Sequence, residues 1–320
     1  MWKFTIRRFL IMIPQIIVLS VIVFLAAQAM PGDALSGQID PNIDQSAIQE
    51  QREKLGLNDP WPQKYVRWVD DLFHGDLGKS MVHKMPVTEL IGQRMINTVW
   101  LSLLTTIFVY LIGIPLGIFS GRYNDSLLDT TITTYTYLGF ATPLFVFALL
   151  MLWVFGFFLG WFPTGGSVSP NVQPGTFDYV VSKIYHLILP ALSGAILATV
   201  STVQYLRTAI IDTKQKDFII SARAKGARES RVYNKHILRN SLLPVAAFLG
   251  YEFTLLISGT VFVEQIFSYP GMGRLLIESV TTRDYSVVTA LVLLFGLATI
   301  AGTWLSDIIL SIVDPRIRIK

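Results

Sequence analysis

Residues 97–121 read NTVWLSLLTTIFVYLIGIPLGIFSG, 25 residues from Asn97 to Gly121 without one charge. A bilayer core is about 30 Å thick, so a helix needs about 20 apolar residues to cross it. Working outward, Phe9–Met30 gives 22 charge-free residues, Tyr135–Phe162 gives 28, Leu187–Leu206 gives 20 and Tyr285–Ser306 gives 22. Leu242–Val263 adds another 22, interrupted only by Glu252. Barrel strands would alternate over about 10 residues, and these runs do not. The pattern predicts an all-α integral membrane protein with six transmembrane helices.

Composition agrees. The chain has 320 residues, 52% hydrophobic and 15% charged, where a soluble domain averages about 25% charged. The apolar excess excludes disorder, and the absence of cysteine excludes a disulfide scaffold. Lys and Arg near the span ends set orientation. With the N-terminus inside, the inner segments hold 16 of the 26 basic residues, so both termini are expected in the cytoplasm. Ala27-Gln28-Ala29 has the small-x-small form of a signal-peptide cleavage site. The apolar run before it exceeds the 7–15 residues usual for such peptides, so an uncleaved anchor is expected.

The chain divides into a first span (1–30), an outer lid-like loop (31–96) and a five-helix core (97–320). In the loop, Ile43–Leu57 and Trp61–Phe73 are periodic enough for short helices. Tyr65, Trp68 and Leu72 suit a membrane boundary. Gly75-Asp76-Leu77-Gly78-Lys79-Ser80 ends like a phosphate-binding loop, but that motif needs four residues between its glycines and here there are two. It is rejected as a nucleotide site, leaving no visible ATPase in this chain.

The inner loop 207–241 carries nine basic residues and three acids. Within it, Asp217-Phe218-Ile219-Ile220-Ser221-Ala222-Arg223-Ala224-Lys225-Gly226 predicts a short helix. Asp217 would cap its start, and Gly226 would supply the left-handed stop. Phe218, Ile219 and Ile220 would face water, which suggests a docking knob; a basic stretch of this kind otherwise serves as a solvated face or a contact for anionic lipid. Pro270-Gly271-Met272-Gly273 predicts a turn with glycines at positive φ, and Arg283 is expected to pair with Asp284. Glu252 is the one ionisable group well inside a span. It would line a translocation path or bond a neighbouring helix. Asp307 and Asp314 are expected to snorkel or cap. The four histidines have no ligand spacing, so no metal site is expected. Nothing resembles a nucleophile–base pair, and no nucleic-acid partner is expected.

Ala222-Arg223-Ala224-Lys225-Gly226, His236, Arg239-Asn240 and Leu243-Pro244 together resemble the cytoplasmic loop of bacterial ABC importer permeases of the peptide/nickel branch. Gly75–Ser80 with Pro86-Val87, and Glu264, Phe267, Pro270-Gly271-Met272-Gly273-Arg274 with Arg283-Asp284-Tyr285, resemble that branch's outer loops. Met1-Trp2-Lys3, Ile13-Pro14-Gln15 and Met30-Pro31-Gly32-Asp33 look most like the first permease subunit of oligopeptide importers. The general importer signature begins Glu-Ala-Ala, where this chain has Ile220-Ser221-Ala222. Its proline stands thirteen residues after the glycine, whereas Pro244 stands eighteen after Gly226. Contacts made by that Glu elsewhere therefore do not transfer to Ile220.

The resemblance implies a type I ABC importer permease fold in the bacterial cell membrane. It implies a second homologous permease subunit, two cytoplasmic ATPase subunits that bind ATP and Mg, and an extracellular lipid-anchored peptide-binding protein. On this reading Asp217, Phe218, Ala222, Arg223, Ala224, Lys225 and Gly226 couple to the ATPases, with Arg223 and Lys225 as polar contacts. Pro270, Gly271, Gly273 and Arg274 would contact the binding protein. Oligopeptides are the expected cargo, with dipeptides, nickel chelates or haem as alternatives. The rival classes are an ion-gradient-driven secondary transporter, which would need clustered intramembrane charges, and an intramembrane enzyme.

Overall fold

The computed structural model describes residues 2–29, 59–242, 245, 254 and 260–313. The described residues are helical, and their one extended pairing is an isolated bridge between Lys79 and Pro86. In chain order the main helices are α1 (Trp2–Ala29), α2 (Trp61–Phe73), α3 (Val87–Arg122), α4 (Leu127–Ala141) and α5 (Leu144–Met151), which continues as a π-helical turn, Leu152–Phe158. There follow α6 (Phe177–Lys214) and α7 (Asp217–Ala224), then α8 (Glu229–Arg231), which runs through a π-helical stretch, Val232–Leu238, into α9 (Arg239–Ser241). Last come α10 (Val261–Ile266), α11 (Met272–Thr281) and α12 (Tyr285–Val313).

Among the described residues, four helices are long and apolar enough to cross a membrane: Thr5–Ala29, Val87–Arg122, Phe177–Lys214 and Tyr285–Ile312. The expected span 135–162 is not one straight helix. It breaks at Thr142-Pro143, and its two halves, Leu127–Ala141 and Leu144–Phe158, meet at 106°. Proline biases the residue before it away from helix, and Thr142 is extended at φ −95° and ψ 118°. Most of the expected span 242–263, Glu252 included, lies outside the described residues, as do the predicted helix 43–57 and Asp314.

The centre of the bundle is the parallel pair α3 and α6. Gly113, Gly117 and Gly121 recur every four residues along α3 and meet Thr202, Leu206 and Ile210, which recur every four along α6. A Cβ on Gly117 would lie 2.9 Å from the Leu206 Cβ, and one on Gly121 would lie 2.7 Å from the Ile210 Cβ. Small residues at this spacing let helix backbones approach where lipid gives no hydrophobic drive between helices. Starts are set by local chemistry: Ser126 accepts from the Asp129 amide to open α4, and Thr176 accepts from the Tyr179 amide to open α6.

α1 lies against α12. Gly296 leaves room for Leu19, and Arg8 pairs with Asp307 at 3.0 Å, so Asp307 is a partner in an ion pair rather than a snorkelling or capping group. Near its other end, Phe24 is buried against Tyr65 and Trp68 of α2, and the Tyr65 hydroxyl hydrogen-bonds Ser20 at 2.8 Å. The aromatic face predicted for 61–73 thus rests on the first span.

Candidate functional site

α7 leaves α6 after a two-residue break and is anchored by one side chain. Ile219 is fully buried among Leu206 and Ile210 of α6 and Val232, Tyr233 and Ile237 of the π-helical stretch. Its neighbours Phe218 and Ile220 stay exposed, at 42% and 58%. Of the three apolar residues expected to face water, two do, and the third holds the helix to the bundle. Asp217 lies in the first turn without a side-chain capping bond, and Lys216 takes the cap position.

The stop is the one expected. Gly226 has φ +74°, its amide donates to the Arg223 carbonyl (2.9 Å), and the Ala227 amide donates to the Ala222 carbonyl (3.2 Å). This pairing closes a helix only when the residue after its cap is left-handed, so glycine is required by conformation here. Arg223 does not extend outward as a free contact. Its guanidinium holds Glu229 through two bonds, Nε to Oε2 at 3.1 Å and Nη2 to Oε1 at 2.6 Å, tying α7 to α8. That pairing pulls the Glu229 carboxyl below its ordinary range and pushes the Arg223 guanidinium up. Ala224 and Lys225 remain exposed.

Behind α7 lies a polar brace that the sequence did not single out. The buried Asp129 carboxylate accepts two bonds of 2.7 Å from Arg207, one from the Ser120 hydroxyl and one from the Asp125 amide. Lys214 donates to the Arg122 carbonyl at 2.8 Å and to Asn124 at 2.7 Å. The Arg122 guanidinium stands over the Tyr233 ring at 4.7 Å and the Tyr123 ring at 5.4 Å. Asp129 and Arg207 are 78 positions apart, and Lys214 is 90 and 92 from Asn124 and Arg122, so no local pattern could have announced those meetings.

At the far end of the bundle, the turn 270–274 corrects the sequence reading. Gly271 has φ −107°, and Gly273 lies inside α11; neither is left-handed. They are glycines for lack of space. A Cβ on Gly271 would lie 2.3–2.4 Å from the Glu264 carboxylate, and one on Gly273 would lie 2.7 Å from the Val261 Cα. Glu264 is fully buried and accepts from the Thr98 hydroxyl (2.7 Å), the Arg274 amide (3.0 Å) and the Gly273 amide. Burial pushes its carboxyl up against the pull of those three donors.

Gly271 and Gly273 are therefore buried and offer no surface to a binding protein. Pro270 is half-buried, with its carbonyl taken by Asn97, and Arg274 bonds Glu278 and the Ser268 carbonyl. Arg283 does not pair with Asp284 either. The buried Asp284 accepts from the Ser80 hydroxyl (2.5 Å) and the Val82 amide (3.3 Å), which gives the Gly75–Ser80 turn a structural use. The signal for Glu264, an acid followed at seven and nine residues by glycine, was present but unread.

Residues 113–319 match the family described as binding-protein-dependent transport system inner membrane component, and residues 1–104 match the N-terminal family of the same membrane components. The chain belongs to this transport family. Among relatives of this transport component, the oligopeptide transport system permease protein AppB of Bacillus subtilis is 40% identical over 99% of the chain and 100% of the relative. The glutathione transport system permease protein GsiC of Pectobacterium atrosepticum is 36% identical, and a putative peptide permease protein of Brucella suis is 35% identical, both over the full length of each chain. Among solved structures, an inward-facing MetNI methionine ABC transporter matches with TM-score 0.52 at 16% identity, over 70% of this chain and 96% of that one. A second, an amino acid ABC transporter, matches with TM-score 0.52 at 18% identity, over 72% and 94%. These two likenesses carry the fold of the transport component.

Proposed function

We propose that this chain is one of two permease subunits in an ATP-driven importer of oligopeptides. Five candidate spans are joined by a sixth over 242–263, both termini are cytoplasmic, and loop 207–241 faces two ATPase subunits. ATP and Mg are held by those subunits and not by this chain. A lipid-anchored binding protein delivers the peptide from outside. The partner permease is a different but homologous chain. The family match and the full-length relatives named for oligopeptide, peptide and glutathione transport support this reading.

One observation carries the coupling role: α7 has its anchor, Ile219, fully buried and the side chains on either side of it exposed. An apolar pair held out on a short, fixed helix is costly to leave in water, at roughly 25 cal/mol per Å², and a cleft on a partner would cover it. Asp217, Ala222 and Gly226 shape this knob, and Lys225 is an exposed cation on it. Relatives named for glutathione favour, as a second reading, a small peptide as cargo.

The test is reconstitution of the purified chain in liposomes, alone and with a partner permease, ATPase subunits and binding protein. Uptake of labelled oligopeptide is expected only in the full assembly with ATP. Accumulation by the chain alone under an ion gradient would establish the secondary-transporter rival instead. Competition by short peptides then ranks the cargo.

A further inference from the structure

We propose that Arg122 and Tyr233 form the joint through which movement of α7 reaches α4. This inference rests on the coupling reading above and adds where the motion goes.

Ile219 of α7 shares a buried cluster with Val232, Tyr233 and Ile237 of the π-helical stretch Val232–Leu238, and Ala222 of α7 packs against the same cluster. Such a stretch is rare and is found frequently at functional sites. Tyr233, in its first turn, is buried, and its hydroxyl reaches the Ile118 carbonyl at 3.3 Å. The ring of Tyr233 bears the Arg122 guanidinium, which also stands over Tyr123. Arg122 is the last residue of α3 and opens the turn into α4.

That turn cannot yield locally. Lys214 clamps the Arg122 carbonyl and Asn124, and Asp129 fastens the Asp125 amide and Arg207 to the start of α4. Packed interiors transmit displacement rather than absorb it. A push on α7 therefore runs through Ile219, the π-helical stretch and Tyr233 to Arg122, and turns α4 as a rigid piece. α4 is also where Thr130, Thr134 and Tyr137 lie exposed at helical spacing on a candidate span. The Thr130 and Thr134 hydroxyls bond back to the Ser126 and Thr130 carbonyls, one turn earlier in the chain.

Arg122→Gln, Tyr233→Leu and Tyr233→Phe in the complete transporter test the joint, with peptide uptake and ATP hydrolysis measured in the same proteoliposomes. Wild-type ATP-dependent uptake is the control for the coupling reading; its absence would sink that reading before the joint is tested. With the control intact, Arg122→Gln and Tyr233→Leu should lower peptide delivered per ATP about fivefold or more, the lower range of coupling between sites. ATPase subunits should still co-purify. Tyr233→Phe keeps the ring and should retain the wild-type ratio. Arg122 is exposed, so its variant does not disturb the core if Tyr233→Leu does. A wild-type ratio in Arg122→Gln would overturn the joint.

Discussion

Glu264 and Gly271 form a lock made of one carboxylate and one missing methyl group. The carboxylate gathers the Thr98 hydroxyl and two backbone amides, and Gly271 lets the chain pass within reach of it. Glu264→Ala would leave those donors buried and unpartnered, at about 1–3 kcal/mol for such a loss. Gly271→Ala would press a Cβ into the carboxylate, an overpacking of about 1–3 kcal/mol. Thermal unfolding in detergent should show both variants destabilised, and the double variant destabilised by less than their sum, because residues in contact do not act additively. Strict additivity would mean that the two do not meet. The sequence shows the glycines but cannot say whether φ or space demands them; that depends on an acid whose distance from them is set by the fold.

At the scale of the helix, α7 was legible almost residue by residue. An apolar triplet, an alanine-rich body and Gly226 suffice to define a short helix and its stop, because these are local effects of the backbone. The partner of each side chain was not legible: Ile219 turns inward and Arg223 is taken by Glu229. Gly226→Val places a β-branched residue at φ +74°, where any Cβ is disfavoured by about 1–2 kcal/mol and branching adds to it. The subunit should insert normally and bind its partners, while peptide uptake falls to background. Uptake at the wild-type level would remove Gly226 from the lever. The bent unit 127–158 gives the opposite lesson. That span was expected from Tyr135, whereas the helix begins at Leu127 behind the Ser126 cap and carries Asp129, paired with Arg207, in its first turn.

For the whole molecule, the first span is part of the architecture. It contributes Leu19 to the Gly296 gap, Arg8 to Asp307, Ser20 to Tyr65 and the Phe24 ring to α2. Cleavage after Ala29 would strip these contacts at once. Protein purified from membranes should therefore keep its first span and show an intact mass of 35.9 kDa for the full chain. A mass lower by the first 29 residues would show that α1 is a leader.

Membrane residence, helical class and the position of the short helix 217–224 follow from composition and local pattern, since each depends on solvent transfer or on neighbours within a turn. Which residues hold the spans together came only from the tertiary structure. Asp129 meets Arg207, Ser80 meets Asp284 and Thr98 meets Glu264 across 78, 204 and 166 positions. A buried polar group must find a partner wherever the fold brings one, and chain order carries no record of that meeting.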